Sequence, residues 1–470
     1  MLFPTLEFLL FFIGVFFVSW GLRRWLEPRK LFLTLASYGF YAAWDWRFCF
    51  LLLGSSLFNW GAALAIERAG PERARRWLLG IAVAGNLAVL GFFKYYDFFI
   101  EQLNDLFLGL GLERELPYMA VILPVGISFF TFQGISYVID VYRRDITASR
   151  SVLDILLYIS FFPQLVAGPI VRAATLIPQI RARPDPDAIL MSWGLVLTLV
   201  GLFKKLIVAN YLATQIVDEV FFDPSYYSGW DLLVGAYAYA VQIYCDFSGY
   251  SDMAIGLAAM LGYRFDRNFD QPYRSASIRE FWRRWHISLS SWLRDYLYIP
   301  LGGSRQGPWR TRRNLMLTMV LGGIWHGAAW TFVIWGVMHG LALAVENMVT
   351  GRRQLRPRSA VLRAAGILYA FHFVVLTFVF FRAESLDYAL LYLESLFTSD
   401  LPTMLTTPFV LGLTAIGLAF HFVPRDTVER TGAALSRLPA AAQGVLVAAV
   451  LVAISAMGPE GVAPFIYFQF

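Results

Sequence analysis

Charge is scarce in this chain. Only 15% of its residues are Asp, Glu, Lys or Arg, against about 25% in a typical soluble domain. With 58% hydrophobic residues and a mean hydropathy of +0.57, an ordinary water-soluble fold is excluded. Cysteine is scarcer still. Cys49 and Cys245 are far apart and both in apolar surroundings, which rules out a cysteine-based zinc cluster and leaves no basis for a disulfide framework. Five histidines, His286, His326, His339, His372 and His421, lack any spacing suited to three or four metal ligands, so no metal is expected. The G-x-S-x-G elbow, H-E-x-x-H, the P-loop and the dinucleotide fingerprint are all missing. The first apolar run has no basic residue ahead of it and no small-residue cleavage site after it. It reads as a retained anchor, not a removed signal peptide.

What is present is one apolar run after another, from residue 5 to residue 457. A helical span needs about 20 residues. The reading is an all-α polytopic membrane protein with about 11 transmembrane helices plus re-entrant or interfacial pieces, forming a single integral-membrane domain over 1–470. Basic loops set the orientation. Arg23, Arg24, Arg29 and Lys30 follow the first run, Arg68, Arg73, Arg75 and Arg76 the third, and Arg143 and Arg144 the run at 118–139. The alternate turns carry Asp45 and Arg47, then Glu101, Asp105, Glu113 and Glu115. An outside N-terminus satisfies all of these loops.

Residues 264–313 dominate the electrostatics, with 11 arginines against Asp266, Asp270, Glu280 and Asp295. This segment is expected on the cytoplasmic side. Two readings compete there: a grip on anionic lipid headgroups, at about 1 kcal/mol per basic residue, and a surface for an anionic cofactor. Seven of the 15 tryptophans fall between 282 and 335: Trp282, Trp285, Trp292, Trp309, Trp325, Trp330 and Trp335. An interfacial belt accounts for some of them.

The stretch LGGIWHGAAW (321–330) places His326 inside an apolar run from Asn314 to Glu346. Thirty-two steps along a helix give roughly 48 Å against a hydrocarbon core of about 30 Å, so the helix must break or bend. Gly322–Gly323 and Gly327 are the expected places. Irregular backbone at membrane depth is tolerated only inside protein or beside a watery cavity, so His326 is expected to border one. An ionisable group in a span is a functional candidate, and a buried neutral imidazole is what a general base requires. The alternative is a structural histidine bonding a neighbouring helix. His339 lies 13 residues on and would sit roughly 20 Å away on a continuous helix. It reads as structural unless the chain folds back.

A second stretch, SIREFWRRWHISLSSWLRDYLYIPLGG (277–303), interleaves arginines with aromatics around His286, as an interfacial or re-entrant helix does. A third, YCDFSGYSDMAIGL (244–257), places Asp246 and Asp252 in an apolar run. Intramembrane carboxylates need partners, and the 264–313 arginines are the nearest supply in sequence. The choice is between an ion-pair lock and direct chemistry. His421 and Asp426 fit the H-x4-D spacing of glycerolipid acyltransferases, but Pro424 interrupts the pattern and two fixed residues arise by chance.

Together these stretches resemble the membrane-bound O-acyltransferase family, in its alginate O-acetyltransferase-like branch. The motifs YCDFSGYSDMAIGL, RNFDQPYRSASIREFWRRWHISLSSWLRDYLYIPLGG and RNLMLTMVLGGIWHGAAWTFVIWGVMHG carry the resemblance. So do ASYGFYAAW (36–44), FFKYYDFF (92–99), LPVGISFFTFQGISYVIDVYR (123–143), FFPQLVAGPIVR (161–172) and the terminal FIYFQF. The resemblance implies an all-helical fold around a central tunnel. It implies His326 in WHG as the catalytic residue, and His286 at a second position that is Asn, Asp or His in different branches. Donor and substrate contacts would come from Asp246, Arg283, Arg284, Trp285, Trp292 and Trp325. It further implies an acetyl-CoA donor on the cytoplasmic side and a multi-pass protein of the bacterial inner membrane. The acetyl group would pass outward to an exported polysaccharide through a periplasmic acetyltransferase partner. Membrane lipids complete the expected partners; nucleic acid is not among them. D-alanyl transfer and lipid acylation are the alternatives within the family. A glycan or acyl-carrier transporter is the alternative outside it. Transporters often show repeated halves with paired broken segments, and no internal repeat is visible here.

Overall fold

The computed structural model describes residues 3–112, 115–351 and 359–459. Glu113 and the terminal FIYFQF lie outside them. Among the described residues every regular element is helical, and the Cα packing groups the chain into two compact units, Met1–Asp185 and Pro186–Phe470.

The first unit contains α1 (Leu6–Gly21), α2 (Leu26–Asp45), α3 (Phe48–Arg68), α4 (Glu72–Gly109), α5 (Ile127–Arg143), α6 (Val152–Ser160), α7 (Phe162–Leu165) and α8 (Ala173–Arg181). Several of its buried polar groups are matched pairwise, as a low-dielectric interior favours. Asn59 on α3 and Asn86 on α4 exchange side-chain hydrogen bonds of 3.0 and 2.9 Å. Lys30 on α2 meets Asp154 on α6 at 2.8 Å, and Arg181 on α8 meets the other oxygen of Asp154 at 2.7 Å. Burial alone would raise the Asp154 carboxyl, but its contacts with Lys30 and Arg181 more than offset this and hold it below the usual carboxylate range.

The second unit begins with α9 (Ala188–Phe203), which runs on through π-helical turns and the short α10 (Asn210–Leu212) and α11 (Asp218–Phe222). The long α12 (Gly229–Met260) returns against it. Glycines set that approach: a Cβ on Gly201 would lie 2.5 Å from the Gly249 carbonyl oxygen, and one on Gly249 2.8 Å from that of Gly201. Two short helices follow, α13 (Ile278–Trp282) and α14 (Ile287–Leu293), then α15 (Pro308–His326), α16 (Trp330–Thr350), α17 (Ala360–Arg382), α18 (Leu386–Thr398), α19 (Pro408–Ala419), α20 (Thr427–Leu435) and α21 (Ala440–Met457). Among the described residues, six helices are long and apolar enough to cross a membrane, or seven if the pair Pro408–Phe422 and Thr427–Leu435, bent by 87°, counts as one span. The expected figure of about 11 is not reached on length and composition. The 16 residues of α1 and the 17 of α5 are short for a span, and α12 carries Asp231, Asp246 and Asp252.

The Asn314–Glu346 run does break, at Gly327 as one of the expected positions and not at Gly322–Gly323. Helix α15 continues through Gly322–Gly323 and stops at His326; Gly327–Ala329 form the turn. The chain then folds back, so α15 and α16 pack as an antiparallel hairpin. Gly336 seats against the Met319 carbonyl oxygen and Gly340 against Met316. The glycines serve close helix contact here, while the break falls one residue after the histidine.

Candidate functional site

The hairpin leaves His326 as the last residue of α15, 4% exposed, at a depth where a side chain needs neighbours from several helices. Trp325 (5.0 Å between ring centroids), Trp335 on α16 (5.1 Å) and Phe381 on α17 (5.2 Å) surround its ring edge-on. Three aromatic rings thus enclose one imidazole.

The fold-back also brings His339 into this neighbourhood, with its ring 4.7 Å from that of Trp335. His339 is fully buried. Its Nδ1 accepts from Trp282 Nε1 at 3.2 Å, and its Nε2 lies 3.1 Å from Thr377 Oγ1. Both ring nitrogens are therefore engaged, as a structural histidine requires.

His286 occupies the N-cap of α14 with a left-handed backbone, φ +43°, a conformation that costs a non-glycine residue roughly 1–2 kcal/mol. Asn268 holds it there. The Asn268 carbonyl accepts from Ile287 N at 2.8 Å, and its Oδ1 accepts from Ser288 N at 3.1 Å and Ser288 Oγ at 2.9 Å. Because the Ser288 amide marks that atom as oxygen, His286 Nδ1, 3.3 Å away, is the donor. The lone pair then sits on Nε2. His286 lies outside the candidate spans, and burial pushes its imidazole down to about 3. Its ring packs edge-on against Phe247 at 4.6 Å and Trp325 at 6.3 Å. Trp325 thus touches both His286 and His326.

A cavity of about 480 Å³ opens beside these elements, within the usual range for small-molecule sites. Arg279, Arg283 and Arg294 line it with Ser290, Ser291, Tyr298, Thr311, Thr318 and Asn347; none of its described lining residues is acidic. Its wall includes Trp282 and Met319 but not His326. Trp335 stands between, 5.6 Å from the Trp282 ring and 5.1 Å from that of His326. His326 therefore lies one indole away from the basic cavity instead of on its wall.

The remaining residues singled out from sequence are scattered by the fold. Arg283 is exposed and lines both this cavity and a second one of about 280 Å³. Arg284 lines only the second and donates to Glu280 at 2.6 Å. Trp285 is stacked on Phe281 and Tyr273 in the core. Trp292 is buried and packs on Tyr296. Neither tryptophan lines the basic cavity. Asp246 forms an ion pair of 2.6 Å with Lys205, and Asp252 one of 2.7 Å with Lys204. These partners correct the expected pairing with 264–313 arginines, because α9 and its π-helical continuation pack along α12 and deliver two lysines at that level. His421 is buried against Tyr244 and Tyr273, while Asp426 pairs with Arg430. The H-x4-D spacing therefore joins no common site.

Sequence reasoning missed Asn268, Trp335 as the divider, and Glu346. Glu346 accepts from Ile278 N and Arg279 N and so holds the start of α13 from the far end of α16. Its position, an acid near the end of an apolar helix, was the available signal.

Comparison with known proteins agrees with this architecture. Residues 143–383 match the model of the MBOAT, membrane-bound O-acyltransferase family. The "Probable alginate O-acetylase AlgI" of Azotobacter vinelandii is 46% identical over 390 residues, covering 81% of this chain and 74% of that protein. The peptidoglycan O-acetyltransferase of Helicobacter pylori is 36% identical over 411 residues, covering 82% of this chain and 76% of the relative. The teichoic acid D-alanyltransferase of Bacillus subtilis is 28% identical over 280 residues, covering 55% of this chain and 69% of the relative. The all-helical multi-pass architecture and these matches agree: the chain belongs to the membrane-bound O-acyltransferase family.

Proposed function

We propose that this protein is an acetyl-CoA-dependent O-acetyltransferase of the bacterial inner membrane. It takes acetyl groups from the cytoplasmic side and moves them outward for O-acetylation of an exported polysaccharide, by way of a periplasmic partner protein. Relatives named for alginate and peptidoglycan O-acetylation are more similar, over more of the chain, than the D-alanyltransferase. That favours acetyl transfer to a glycan over D-alanyl transfer.

The observation that carries the reading is His326 at the tip of the hairpin, one indole from a cavity lined by three arginines. The cavity arginines suit the phosphates of a CoA thioester. Neutral His326 takes the proton of the acceptor hydroxyl as its oxygen attacks the acetyl carbonyl carbon. The carbon–sulfur bond breaks, and the imidazolium returns the proton to the departing thiolate, which leaves as CoA. His286, with its lone pair on Nε2, stands beside the site as a hydrogen-bond acceptor and not as the oxyanion donor. Aromatic walls keep water from the thioester.

The test uses full-length protein purified in detergent, with labelled acetyl-CoA and de-O-acetylated alginate or peptidoglycan chains as acceptors. CoA release and acetylated glycan are measured. His326→Ala is expected to lower turnover by about 10²–10⁴-fold, the size of a general-base contribution, with wild-type expression and melting temperature. Full turnover in that variant would remove His326 from the mechanism. Longer acyl-CoA donors separate acetyl transfer from lipid acylation.

A further inference from the structure

The positive charge of 264–313 is spent in different places. Arg264 pairs with Asp187, Arg267 with Asp270 and Glu429, Arg284 with Glu280, and Arg294 with its neighbour Asp295. Arg279 and Arg283 face the cavity. Arg274 donates to Gln271 and to the His421 carbonyl, and Arg305, Arg310, Arg312 and Arg313 remain. Among the described residues none of the four enters an ion pair: Arg310 donates to Gln306, and Arg313 to the adjacent Asn314. The Nε of Arg312 is buried with no hydrogen-bond partner.

Three of these arginines stand on the first two turns of α15, and Arg305 lies just before it. That helix end has no side-chain cap and so adds the positive pole of the helix to the same spot. Trp309, beside them, is 75% exposed. Arg310, Arg313, Leu317 and Leu321 follow the i, i+3, i+7, i+11 spacing of one helix face. Leu317 and Leu321 on that face are 39% and 45% exposed. A charged rim therefore passes directly into an outward apolar stripe, with about 12 Å between Arg313 and Leu321 along the axis.

We propose that this face is a binding site for one anionic phospholipid. Arg310 and Arg313 hold the headgroup phosphate. Trp309 sits at headgroup level, and an acyl chain lies along Leu317 and Leu321. A soluble phosphate compound would use the charged rim but have no use for the stripe below it. The inference goes beyond the acyltransfer reading and does not rest on it. It does bear on the same helix: α15 is clamped at one end by lipid and ends, about 27 Å away, in His326.

The experiment is thermal unfolding of the full chain in a neutral detergent with added phosphatidylglycerol or phosphatidylcholine, paired with native mass spectrometry to count retained lipid. Phosphatidylglycerol is expected to raise the melting temperature by mass action, and phosphatidylcholine is not. The gain should shrink with added salt and survive millimolar CoA. Arg310→Gln/Arg313→Gln should keep the wild-type melting temperature in phosphatidylcholine, lose the phosphatidylglycerol shift and retain fewer phosphatidylglycerol molecules. Should the double variant melt early in phosphatidylcholine, Arg313→Gln alone, at an exposed position, gives the same reading. Equal shifts from both lipids, an undiminished shift in the variant, or displacement by CoA would each overturn the proposal.

Discussion

Lys205 and Asp246 form an ion pair of 2.6 Å in which each side chain is only 4% exposed. Removing one member strands a charge in the interior, at a typical cost of about 3–5 kcal/mol, whereas replacing both by apolar residues is often neutral or better. Asp246→Ala is therefore expected to lower stability sharply in detergent unfolding, and Lys205→Met/Asp246→Leu to recover most of the loss. If Asp246→Ala melted like wild type but raised KM for acetyl-CoA, the carboxylate would belong to substrate binding and not to helix locking.

The hairpin carrying His326 is packed backbone to backbone at several glycines, Gly336 among them. A Cβ at Gly336 would lie 2.6 Å from the Met319 carbonyl oxygen and 3.0 Å from the Val320 Cα. Backbone cannot swing aside, so Gly336→Ala must push α15 and α16 apart. A loss of about 1–3 kcal/mol is expected, with activity falling further as Trp335 shifts against His326. Gly322→Ala is the control. Its new methyl meets only the Leu293 Cδ1, at 3.2 Å, and near-wild-type stability is expected. Equal behaviour of the two variants in unfolding and turnover would refute the packing argument.

Arg279 and Arg283 line the basic cavity from the short helix α13 and its C-cap. Each charge-assisted contact to a phosphate is worth about 1.5–3 kcal/mol. Arg279→Gln and Arg283→Gln are each expected to raise KM for acetyl-CoA by about tenfold or more, with kcat little changed, because these contacts serve the ground state and transition state alike. Initial rates at varied acetyl-CoA decide the matter. A fall in kcat at constant KM would move these arginines to the reacting centre.

What the sequence could disclose followed from distance along the chain. His326 stood out because an imidazole in an apolar run demands a reason, and the need for a break followed from length alone. The place of the break followed only in part: it falls at Gly327, one of the two expected positions, and not at Gly322–Gly323. Gly322–Gly323 looks like a weak point locally, but its role is settled by α16, which the chain reaches only after turning. The same limit misassigned the partners of Asp246 and Asp252. The nearest cations in sequence are arginines after residue 264, while the lysines that bind them arrive from 41 and 48 residues upstream, on the helix packed along α12. Asn268 was invisible for a related reason. An Asn in a polar loop carries no local mark of the left-handed histidine it holds 18 residues later.

That histidine makes stability depend on acidity in a definite direction. Burial holds the His286 imidazole down at about 3, whereas in the unfolded chain it titrates near 6.5. Between those values the unfolded state binds a proton that the folded state refuses. Its contribution therefore leaves stability intact above pH 6.5 and erodes it as pH falls, by at most about 1.4 kcal/mol per pH unit. His286→Gln removes the titrating group, so its melting temperature should fall less steeply than that of wild type between pH 7 and pH 5. The absolute stability at pH 7 is a separate quantity, since Gln must also fit the Asn268 and Ser288 contacts, so the comparison is of slopes. Parallel slopes for the two proteins would mean that His286 reaches water and is charged in the folded state. The aromatic wall of Phe247 and Trp325 would then be no barrier to it.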